Sequence, residues 1–444
     1  MGLREKIESK TIQVGVIGLG YVGLPLALEF AKAGVTTLGI DIDVAKVGQI
    51  AKGISYIPDV PASELQSVVS AKKLSATSDF SGLKEIDAAF ICVPTPFTKA
   101  KAPDIHYITD AAKEIAKYLH PEQLITLQST TYPGTTEEEV LPLLESSGLE
   151  AGKDFYLAFS PERIDPGNRK FGVKNTPKVV GGLTPKDTEV ACALFSLIID
   201  EGQIHPVSCP RTAEMCKLLE NIFRAVNIAM VNELTKLADR MGIDIWEVIE
   251  AAATKPFGFM PFYPGPGVGG HCIPVDPYYL SWKAREYDFY TKFIELAAEV
   301  NQSMPYYTVS KVIDALNRHN KAVKEAKILI LGAAFKRDID DARNSPAIEL
   351  LRILTLKGAK VSYHDPYVPI VHLQKSLPHG KPSSRILRSR PLQVKLLADM
   401  DCVVIAVNHS AFDIGWIVDH SSLVVDAQNA TRGIKAPRGK VVKI

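Results

Sequence analysis

The chain has 444 residues, of which 46% are hydrophobic and 23% are charged, and its formal net charge is +1. This composition is typical of a globular protein, and the length favours two or three domains over one core. The balanced charge gives no sign of a nucleic-acid partner, and the absence of an apolar run of about 18 residues excludes a membrane-spanning helix.

The N-terminus and the cysteines favour a cytoplasmic protein. The segment from Met1 to Lys6 has no apolar signal region. The six cysteines are scattered without paired spacing, which is typical of free thiols in a reducing compartment. We expect no metal site.

The first part of the chain alternates between predicted strands and helices. A strand over 12–18 runs into a glycine turn, and an apolar-faced helix follows over Leu24–Ala33. The further predicted strands are Thr36–Ile40, Ala88–Val93, Leu124–Ser129, Phe155–Phe159 and Lys178–Gly181. This alternation predicts a parallel, doubly wound sheet.

The middle of the chain is helical, and the pattern of strand, turn and helix then returns. Residues 212–254 and 281–318 have helical periodicity, and the segment 255–279 between them is predicted to be a loop dense in Pro, Gly and aromatic residues. The elements predicted after it are strands at Lys327–Leu331, Lys360–His364, Cys402–Ala406 and Leu423–Asp426 and a helix over Ser345–Lys357.

We therefore predict an α/β protein with two Rossmann-like, doubly wound parallel-sheet domains joined by a helical central domain. The domains are 1–208, 209–320 and 321–444, with linkers near 205–211 and 319–325. The Lys-, Arg-, Ser- and Pro-rich segment 372–395 is interpreted as an exposed insertion loop rather than a binding patch.

A dinucleotide fingerprint follows the first strand. In Gly18-Leu19-Gly20-Tyr21-Val22-Gly23, the glycines allow a tight turn, close approach of a pyrophosphate and packing of the helix whose N-terminus faces the phosphates. Asp41 ends the next strand at the expected spacing, where it would accept the ribose hydroxyls and repel a 2′-phosphate, so NAD is favoured over NADP. Lys46 either lies over the adenine or reaches a phosphate, or is a solvated helix lysine.

Cys272 is the candidate nucleophile. It stands in Gly269-Gly270-His271-Cys272, within a loop rich in Gly and Pro, with Asp276 four residues on. A thiol beside a nicotinamide suggests a four-electron oxidation, since an aldehyde gives up a second hydride only after a nucleophile has added to it. A buried structural cysteine is the alternative.

Two further sets of polar residues are candidates for the site. Lys217 and Asn221 are four residues apart on one predicted helix, so they share a face and would stabilise a developing oxyanion, unless Lys217 is only solvent-exposed. Glu162, in Ser160-Pro161-Glu162-Arg163, follows a strand and would hold water or accept a proton. A capping glutamate is the alternative.

Together these residues resemble the UDP-glucose/GDP-mannose 6-dehydrogenase family over nearly the whole chain. Several motifs occur in the family's order. They are Gly18–Gly23, Cys92–Pro96, Gln128–Thr130, Ser160–Glu162, Glu214–Asn221, Gly269–Cys272, Phe335–Asp338 and Asp341–Arg343.

The resemblance implies an N-terminal NAD domain, a helical core that forms a homodimer and a C-terminal domain for the UDP-sugar. Cys272 would form the thiohemiacetal and thioester, Lys217 and Asn221 would stabilise the oxygen at C6, and Asp276, with Glu162 or Thr130 holding water, would assist proton transfer and hydrolysis. Thr95, Thr130 and Arg343 would lie at the NAD. The residues expected at the substrate are Glu162, Arg163, Lys217, Asn221, Phe262, Tyr263, Gly269 and Lys336.

Within the family the chain is similar to UDP-N-acetylglucosamine 6-dehydrogenases. The segments Phe159–Asn168 and Lys255–Gly267 carry this similarity, and the aromatic loop would make space for a 2-acetamido group. Val275 replaces a lysine of the UDP-glucose branch, and Gln428 stands where an arginine is usual. The resemblance implies a role in surface-polysaccharide synthesis, such as capsule or lipopolysaccharide O-antigen.

We therefore predict oxidation of C6 of a UDP-N-acetylhexosamine to the uronate. UDP-N-acetylglucosamine is favoured, with the galacto and manno epimers and UDP-glucose as alternatives. The rivals are a two-electron β-hydroxyacid dehydrogenase and a non-catalytic NAD-binding protein.

Overall fold

The structure is a computed structural model, which describes residues 2–98, 101–165, 167–168, 170–375 and 383–444. It divides into two compact units. The first unit comprises Met1–Glu220 and Tyr278–Tyr290, and the second comprises Asn221–Pro277 and Thr291–Ile444. Within the described ranges, no helix is long and apolar enough to cross a membrane.

The first unit is built on an eight-stranded sheet. Its strands are β1 (Gln13–Ile17), β2 (Thr36–Ile40), β3 (Leu74–Thr77), β4 (Ala88–Ile91), β5 (Leu124–Leu127), β6 (Tyr156–Phe159), β7 (Lys178–Gly182) and β8 (Ile204–Val207). Their order is β3-β2-β1-β4-β5-β6-β7-β8, so the chain reverses direction across the sheet between β1 and β4. The carboxyl ends of these two strands form the edge at which such sheets bind ligands.

Helices cover the sheet of the first unit on both faces. They are α1 (Leu3–Glu8), α2 (Gly23–Lys32), α3 (Val44–Ala51), α4 (Ala62–Ser70), α5 (His106–Ala116), α6 (Leu141–Glu145) and α7 (Pro185–Phe195). Every residue of β4, β5 and β6 is buried, because strands covered on both faces have no solvent side. Two separate apolar clusters pack against the sheet.

The sheet contains one antiparallel pairing. β6 and β7 run in opposite directions, with Phe159 opposite Gly181, whereas the other pairings of this sheet are parallel. The start of β7 therefore lies at the edge where β6 ends. The predicted linker 205–211 was wrong, because β8 and the start of a helix at Pro210 occupy it.

Helices of 9 to 32 residues occupy the middle of the chain. They are α8 (Pro210–Met241), α9 (Ile245–Ala253), α10 (Asp276–Ala284) and α11 (Lys292–Arg318). α8 continues across the division between the units at Glu220, and α10 does so after Pro277. The predicted loop 255–279 ends too late, because α10 already begins at Asp276.

The second unit contains a five-stranded parallel sheet. Its strands are β9 (Lys327–Leu331), β10 (Lys360–His364), β13 (Cys402–Ile405), β14 (Val424–Asp426) and β15 (Val441–Lys443), in the order β10-β9-β13-β14-β15. The remaining helices are α12 (Pro346–Leu356), α13 (Val394–Ala398) and α14 (Ile414–His420). The predicted fold class, two Rossmann-like sheets with helices between them in sequence, is confirmed.

The exposed loop predicted at 372–395 was wrong at 372–375 and 383–388, which are strands, whereas 389–393 lie outside helices and strands as predicted. Residues 376–382 lie outside the described residues. β11 (Ile370–Lys375) and β12 (Ser383–Arg388) form an antiparallel pair in this region. Val371, Leu373 and Leu387 are buried on one face of the pair. The alternation of apolar residues in this segment indicates a strand, but the basic residues between them led to its interpretation as an exposed loop.

Candidate active site

The glycine turn after β1 has the geometry that its sequence predicts. Gly18 has φ +90°, and a Cβ on it would lie 2.5 Å from the Cys92 carbonyl oxygen. A Cβ on Gly23 would lie 1.9 Å from the Gly18 oxygen, so the start of α2 packs directly on the turn. Above Gly20 nothing lies within 4 Å of an added Cβ. Only glycine fits at Gly18 and Gly23, and Gly20 leaves the backbone open to a ligand.

Asp41 lies against this turn at the end of β2. Its Oδ2 accepts a hydrogen bond from the Leu19 amide at 2.8 Å, and its Oδ1 accepts one from the Asp43 amide at 2.9 Å. The Lys46 Nζ lies 3.2 Å from Oδ2, so the structure pairs this lysine with Asp41. A carboxylate has about four acceptor positions, so Asp41 keeps capacity for a hydroxyl.

The turn, the N-terminus of α2 and Asp41 fit the adenosine and pyrophosphate of a dinucleotide. Val22 is the residue before the helix, and Tyr21 beside it is 40% exposed.

The loops after β4 and β5 meet at the same edge. Thr95 is buried, and its carbonyl accepts a hydrogen bond from the hydroxyl of Tyr279 on α10. Ser129 Oγ donates to the Val93 carbonyl at 2.8 Å, which joins the two loops, and Thr130 next to it is half-buried. The structure thus brings Thr95 and Thr130 to the edge that carries the glycine turn.

Glu162, after β6, belongs to a buried polar cluster. Its Oε2 accepts hydrogen bonds from Gln128 Nε2 and Lys178 Nζ, both at 2.9 Å, and its Oε1 accepts from the amides of Arg163 and Ile164. Burial favours the neutral acid, but the Lys178 ammonium and these hydrogen bonds outweigh it and lower the pKa of Glu162. The carboxylate is therefore a fixed anion.

Lys178 was missed by the sequence reasoning. It begins a strand in which every residue is buried, and no spacing in the sequence relates it to Glu162. Arg163 points elsewhere: its guanidinium pairs with Glu220 on α8 at 2.6 Å and donates to the Pro177 carbonyl at 2.9 Å.

Helix α8 carries Lys217 and Asn221, one turn apart on one continuous helix. Lys217 is 9% exposed, so it is not the solvated lysine of the alternative interpretation. Asn221, in the second unit, donates from Nδ2 to Asp276 Oδ2 at 2.6 Å, and Asp276 is 1% exposed. The structure thus brings two separately predicted site residues, Asn221 and Asp276, into direct contact.

Cys272 is exposed, in a turn that leads into α10. Its carbonyl accepts hydrogen bonds from the amides of Val275 and Asp276 at 3.0 and 2.8 Å. Hydrogen bonds thus fix the backbone of Cys272 while the residue stays accessible to solvent. This exposure excludes the alternative interpretation of Cys272 as a buried structural residue. All six cysteines lie in the part of the chain that the structure describes, and none of them forms a disulfide.

The glycines before Cys272 fasten this turn to the loop after β9. A Cβ on Gly269 would lie 2.6 Å from Phe335 Cβ, and Gly270, with φ +89°, donates its amide to the Arg343 carbonyl at 3.0 Å. Lys336 follows Phe335 and is half-buried. The Arg343 guanidinium pairs with Asp341 at 2.6 Å, within the second unit.

The aromatic loop before the cysteine turn is held on the helices. Phe262 packs edge-on against Phe223 with ring centroids 5.7 Å apart, and Tyr263 stacks on Trp246 at 5.8 Å while staying 49% exposed. Beyond them, the side chain of Gln428 reaches Gly265, where an added Cβ would lie 3.4 Å from its Nε2.

Known protein families match the chain along most of its length. Models of the UDP-glucose/GDP-mannose dehydrogenase family match the chain in order: the NAD binding domain at 12–199, the central domain at 211–303 and the UDP binding domain at 329–433. The chain belongs to this family. It is therefore an NAD-dependent UDP-sugar dehydrogenase, an oxidoreductase, and the predicted family and cofactor are confirmed.

Individual relatives cover almost the whole chain. UDP-N-acetyl-D-glucosamine 6-dehydrogenase of Pseudomonas aeruginosa is 38% identical over 407 residues, which are 91% of this chain and 92% of that protein. NDP-N-acetyl-D-galactosaminuronic acid dehydrogenase of Ralstonia solanacearum is 36% identical over 416 residues, 92% of each. The solved structure of UDP-D-ManNAc dehydrogenase from Pyrococcus horikoshii matches with a TM-score of 0.86 and 33% identity, covering 98% of this chain and 99% of that one. The names of these relatives agree on an N-acetylhexosamine and differ in its configuration.

Proposed function

We propose that this protein oxidises the C6 hydroxymethyl group of UDP-N-acetylglucosamine to the carboxylate, with Cys272 as the nucleophile. The observation that carries the proposal is the exposed Cys272 in a glycine-rich turn, four residues before the buried Asp276, which accepts a hydrogen bond from Asn221. A two-electron dehydrogenase needs neither the thiol nor the UDP binding domain.

The chemistry balances with two hydrides lost from one carbon. Two NAD⁺ molecules, held one after the other by the glycine turn and Asp41, would each accept one hydride. After the alcohol has lost a hydride and a proton, the Cys272 thiolate adds to the aldehyde carbon and the carbonyl oxygen takes up a proton, which gives a thiohemiacetal. Loss of its hydroxyl proton and a second hydride leaves a thioester. Water then attacks the thioester carbonyl, the carbon–sulfur bond breaks, and the carboxylate and the thiolate are released.

The polar residues have distinct roles in this proposal. The Lys217 ammonium and the Asn221 amide stabilise the negative charge that develops on the oxygen at C6. Asp276, held by Asn221, accepts protons during thiol addition and hydrolysis. Thr130 orients water. Glu162 is engaged by four donors, so it contributes a fixed negative charge and a water contact rather than an exchangeable proton.

Two observations support an N-acetylhexosamine over glucose. Val275 is 1% exposed, so the position where the UDP-glucose branch carries a lysine offers no cation to the substrate. The aromatic loop keeps Tyr263 exposed but stacked on Trp246, and such a rigid apolar surface suits the methyl group of an acetamide. Lys336 would hold the substrate, with Arg163, Phe262 and Gly269 shaping its surroundings, and Arg343 would contact NAD.

A homodimer through the central helices is part of the proposal. Large apolar side chains on α8 recur at intervals of three, four or seven residues and are 44–62% exposed. They are Phe223, Met230, Leu234, Leu237 and Met241. Such an exposed stripe is typical of a helix that packs against another copy.

The proposal is tested by assaying UDP-N-acetylglucosamine, its galacto and manno epimers and UDP-glucose while following NADH. We expect two NADH per UDP-N-acetylglucosamine and a lower kcat/KM for UDP-glucose. One NADH per substrate would support the β-hydroxyacid type of enzyme, and NAD binding without turnover would support the non-catalytic protein. Faster turnover of UDP-glucose would contradict the choice of sugar.

The role of the thiol is tested by Cys272→Ala. Uronate formation should fall by about a thousandfold or more, the scale on which loss of a covalent nucleophile acts, while NAD binding is retained. Cys209→Ser is the matched control, since Cys209 is also partly accessible and should be dispensable. Full activity of Cys272→Ala would rule the mechanism out.

A further inference from the structure

Glu214 is a fully buried carboxylate on α8, three residues before Lys217. Its Oε2 accepts a hydrogen bond from the Gly134 amide at 2.6 Å. Its Oε1 accepts from the Thr136 amide at 2.9 Å and from the Thr136 hydroxyl at 2.7 Å. These three donors all come from the turn 134–136, at the start of a short π-helical segment, Thr136–Val140.

This turn is continuous with the loop after β5 that carries Thr130. The hydroxyls of Thr131 and Thr135 are 2.7 Å apart, and the Thr135 hydroxyl donates to the Tyr132 carbonyl at 2.8 Å. Thr131, Tyr132 and Thr135 are all buried. Because these bonds close the segment on itself, a displacement at 134–136 is transmitted to Thr130.

We infer that Glu214 is a positioning residue, which sets Lys217 on α8 relative to the loop that carries Thr130. The inference rests on the roles proposed above for Lys217 and Thr130. Glu214 and Lys217 are three residues apart and therefore lie on the same face of α8. The hydrogen bonds of Glu214 fix the rotation of the helix and thereby the direction in which Lys217 projects.

The stability of the fold does not account for a carboxylate at this position. Burial raises the pKa of Glu214 to about 7, even though its three donors act in the opposite direction. When burial raises the pKa of a carboxyl group, its charged form destabilises the folded state. Residues that cost stability in this way are typical of sites at which geometry matters more than stability.

The test compares Glu214→Gln and Glu214→Asp with the control Glu150→Gln, which removes a carboxylate from an exposed ion pair with Lys153. Two readouts need no turnover. In Glu214→Gln, the Gly134 and Thr136 amides should exchange with deuterium about tenfold faster or more, since the amide nitrogen cannot accept their hydrogen bonds. Labelling of Lys217 by an amine reagent should also speed up, and neither rate should change in the control.

Turnover separates positioning from folding. We expect kcat of Glu214→Gln to fall by about 10- to 100-fold, as misplacement of catalytic groups does, with KM for both substrates changed by less than about threefold. Glu214→Asp should recover part of kcat because it keeps the acceptor. Unchanged exchange and labelling would overturn the inference. The inference would also be overturned if the loss of activity matched the loss of folded protein and Glu214→Asp had no higher kcat than Glu214→Gln. If the wild type oxidises no UDP-sugar, the proposed function fails, while exchange and labelling still decide the inference.

Discussion

At the residue scale, the Lys178–Glu162 pair has the most direct energetic consequence. The side chains are 4% and 10% exposed, and their charged atoms are 2.9 Å apart. Removing one partner of a buried pair leaves an uncompensated charge, whereas an exposed pair contributes little. Gln128, the first residue after β5, also belongs to this cluster, since it donates a hydrogen bond to Glu162. The ion pair therefore stabilises the sheet edge at which the residues expected to bind the cofactor lie.

We predict that Lys178→Met lowers the free energy of unfolding by about 3–5 kcal/mol at pH 8. Without the ammonium, burial raises the folded-state pKa of Glu162 above its unfolded value. The destabilisation therefore grows as the pH rises from the unfolded-state pKa of Glu162 to its folded-state pKa in the variant, and it is smaller at pH 5 than at pH 8. Urea unfolding at both pH values measures this, with Lys153→Met, from the exposed pair with Glu150, as the control expected to change by less than about 1 kcal/mol. Equal losses in the two variants would contradict the prediction.

At the scale of elements, Asp365 connects the ends of strands in the second unit. It follows β10, and its carboxylate accepts hydrogen bonds from the amides of Ala333 and Ala334 after β9, at 2.6 and 3.0 Å. His409, after β13, contacts it through Nε2 at 3.0 Å and accepts the Asp338 amide at Nδ1. The neutral imidazole with its proton on Nε2 satisfies both contacts. These bonds hold the loop that contains Lys336.

Asp365 should make the stability of the second unit depend on pH in the acid range. Burial opposes ionisation, but the hydrogen bonds from His409 and the backbone amides lower the pKa of Asp365 to about 2. Its stabilisation is therefore present above the unfolded-state pKa and is lost as the pH falls through about 2. We expect Asp365→Asn to be destabilised at pH 7 and the gap from wild type to close towards pH 2, as measured by thermal unfolding. Asp399→Asn, at an exposed pair with Lys327, is the control. A gap independent of pH would argue against this role.

At the scale of the whole molecule, the exposed apolar stripe on α8 is the surface through which we propose that two copies of the chain associate. Leu234 and Leu237 are 44% and 52% exposed, and each would be covered in a homodimer. Burying such side chains contributes roughly 25 cal/mol per Å² of apolar surface, whereas a charge at the same position would have to be desolvated.

We therefore predict that Leu234→Glu combined with Leu237→Glu produces a monomer without unfolding the chain. Sedimentation or light scattering gives the mass, and circular dichroism checks the fold. Val394→Glu, at a 48% exposed apolar residue of the second unit, is the matched control and should remain a dimer. A wild type that is already monomeric at micromolar concentration would refute the dimer.

Much of the fold could be predicted because its signals are local. The glycines at 18 and 23 are required by the backbone of a single turn, and the period of apolar residues distinguishes a strand from a helix within a few residues. The exposed cysteine turn could be foreseen in the same way, from the glycines around it. The antiparallel strands Ile370–Lys375 and Ser383–Arg388 were missed because composition was given more weight than alternation.

By itself, the sequence determined the fold class, the family, the cofactor and the candidate nucleophile, since each depends on residues that are near neighbours along the chain. Only the tertiary structure decided which charges meet. Lys178 reaches Glu162 because β7 runs antiparallel to β6, and Glu214 reaches a turn 78 residues earlier in the chain. Such pairings depend on strand direction and packing between distant segments, and no local spacing encodes them.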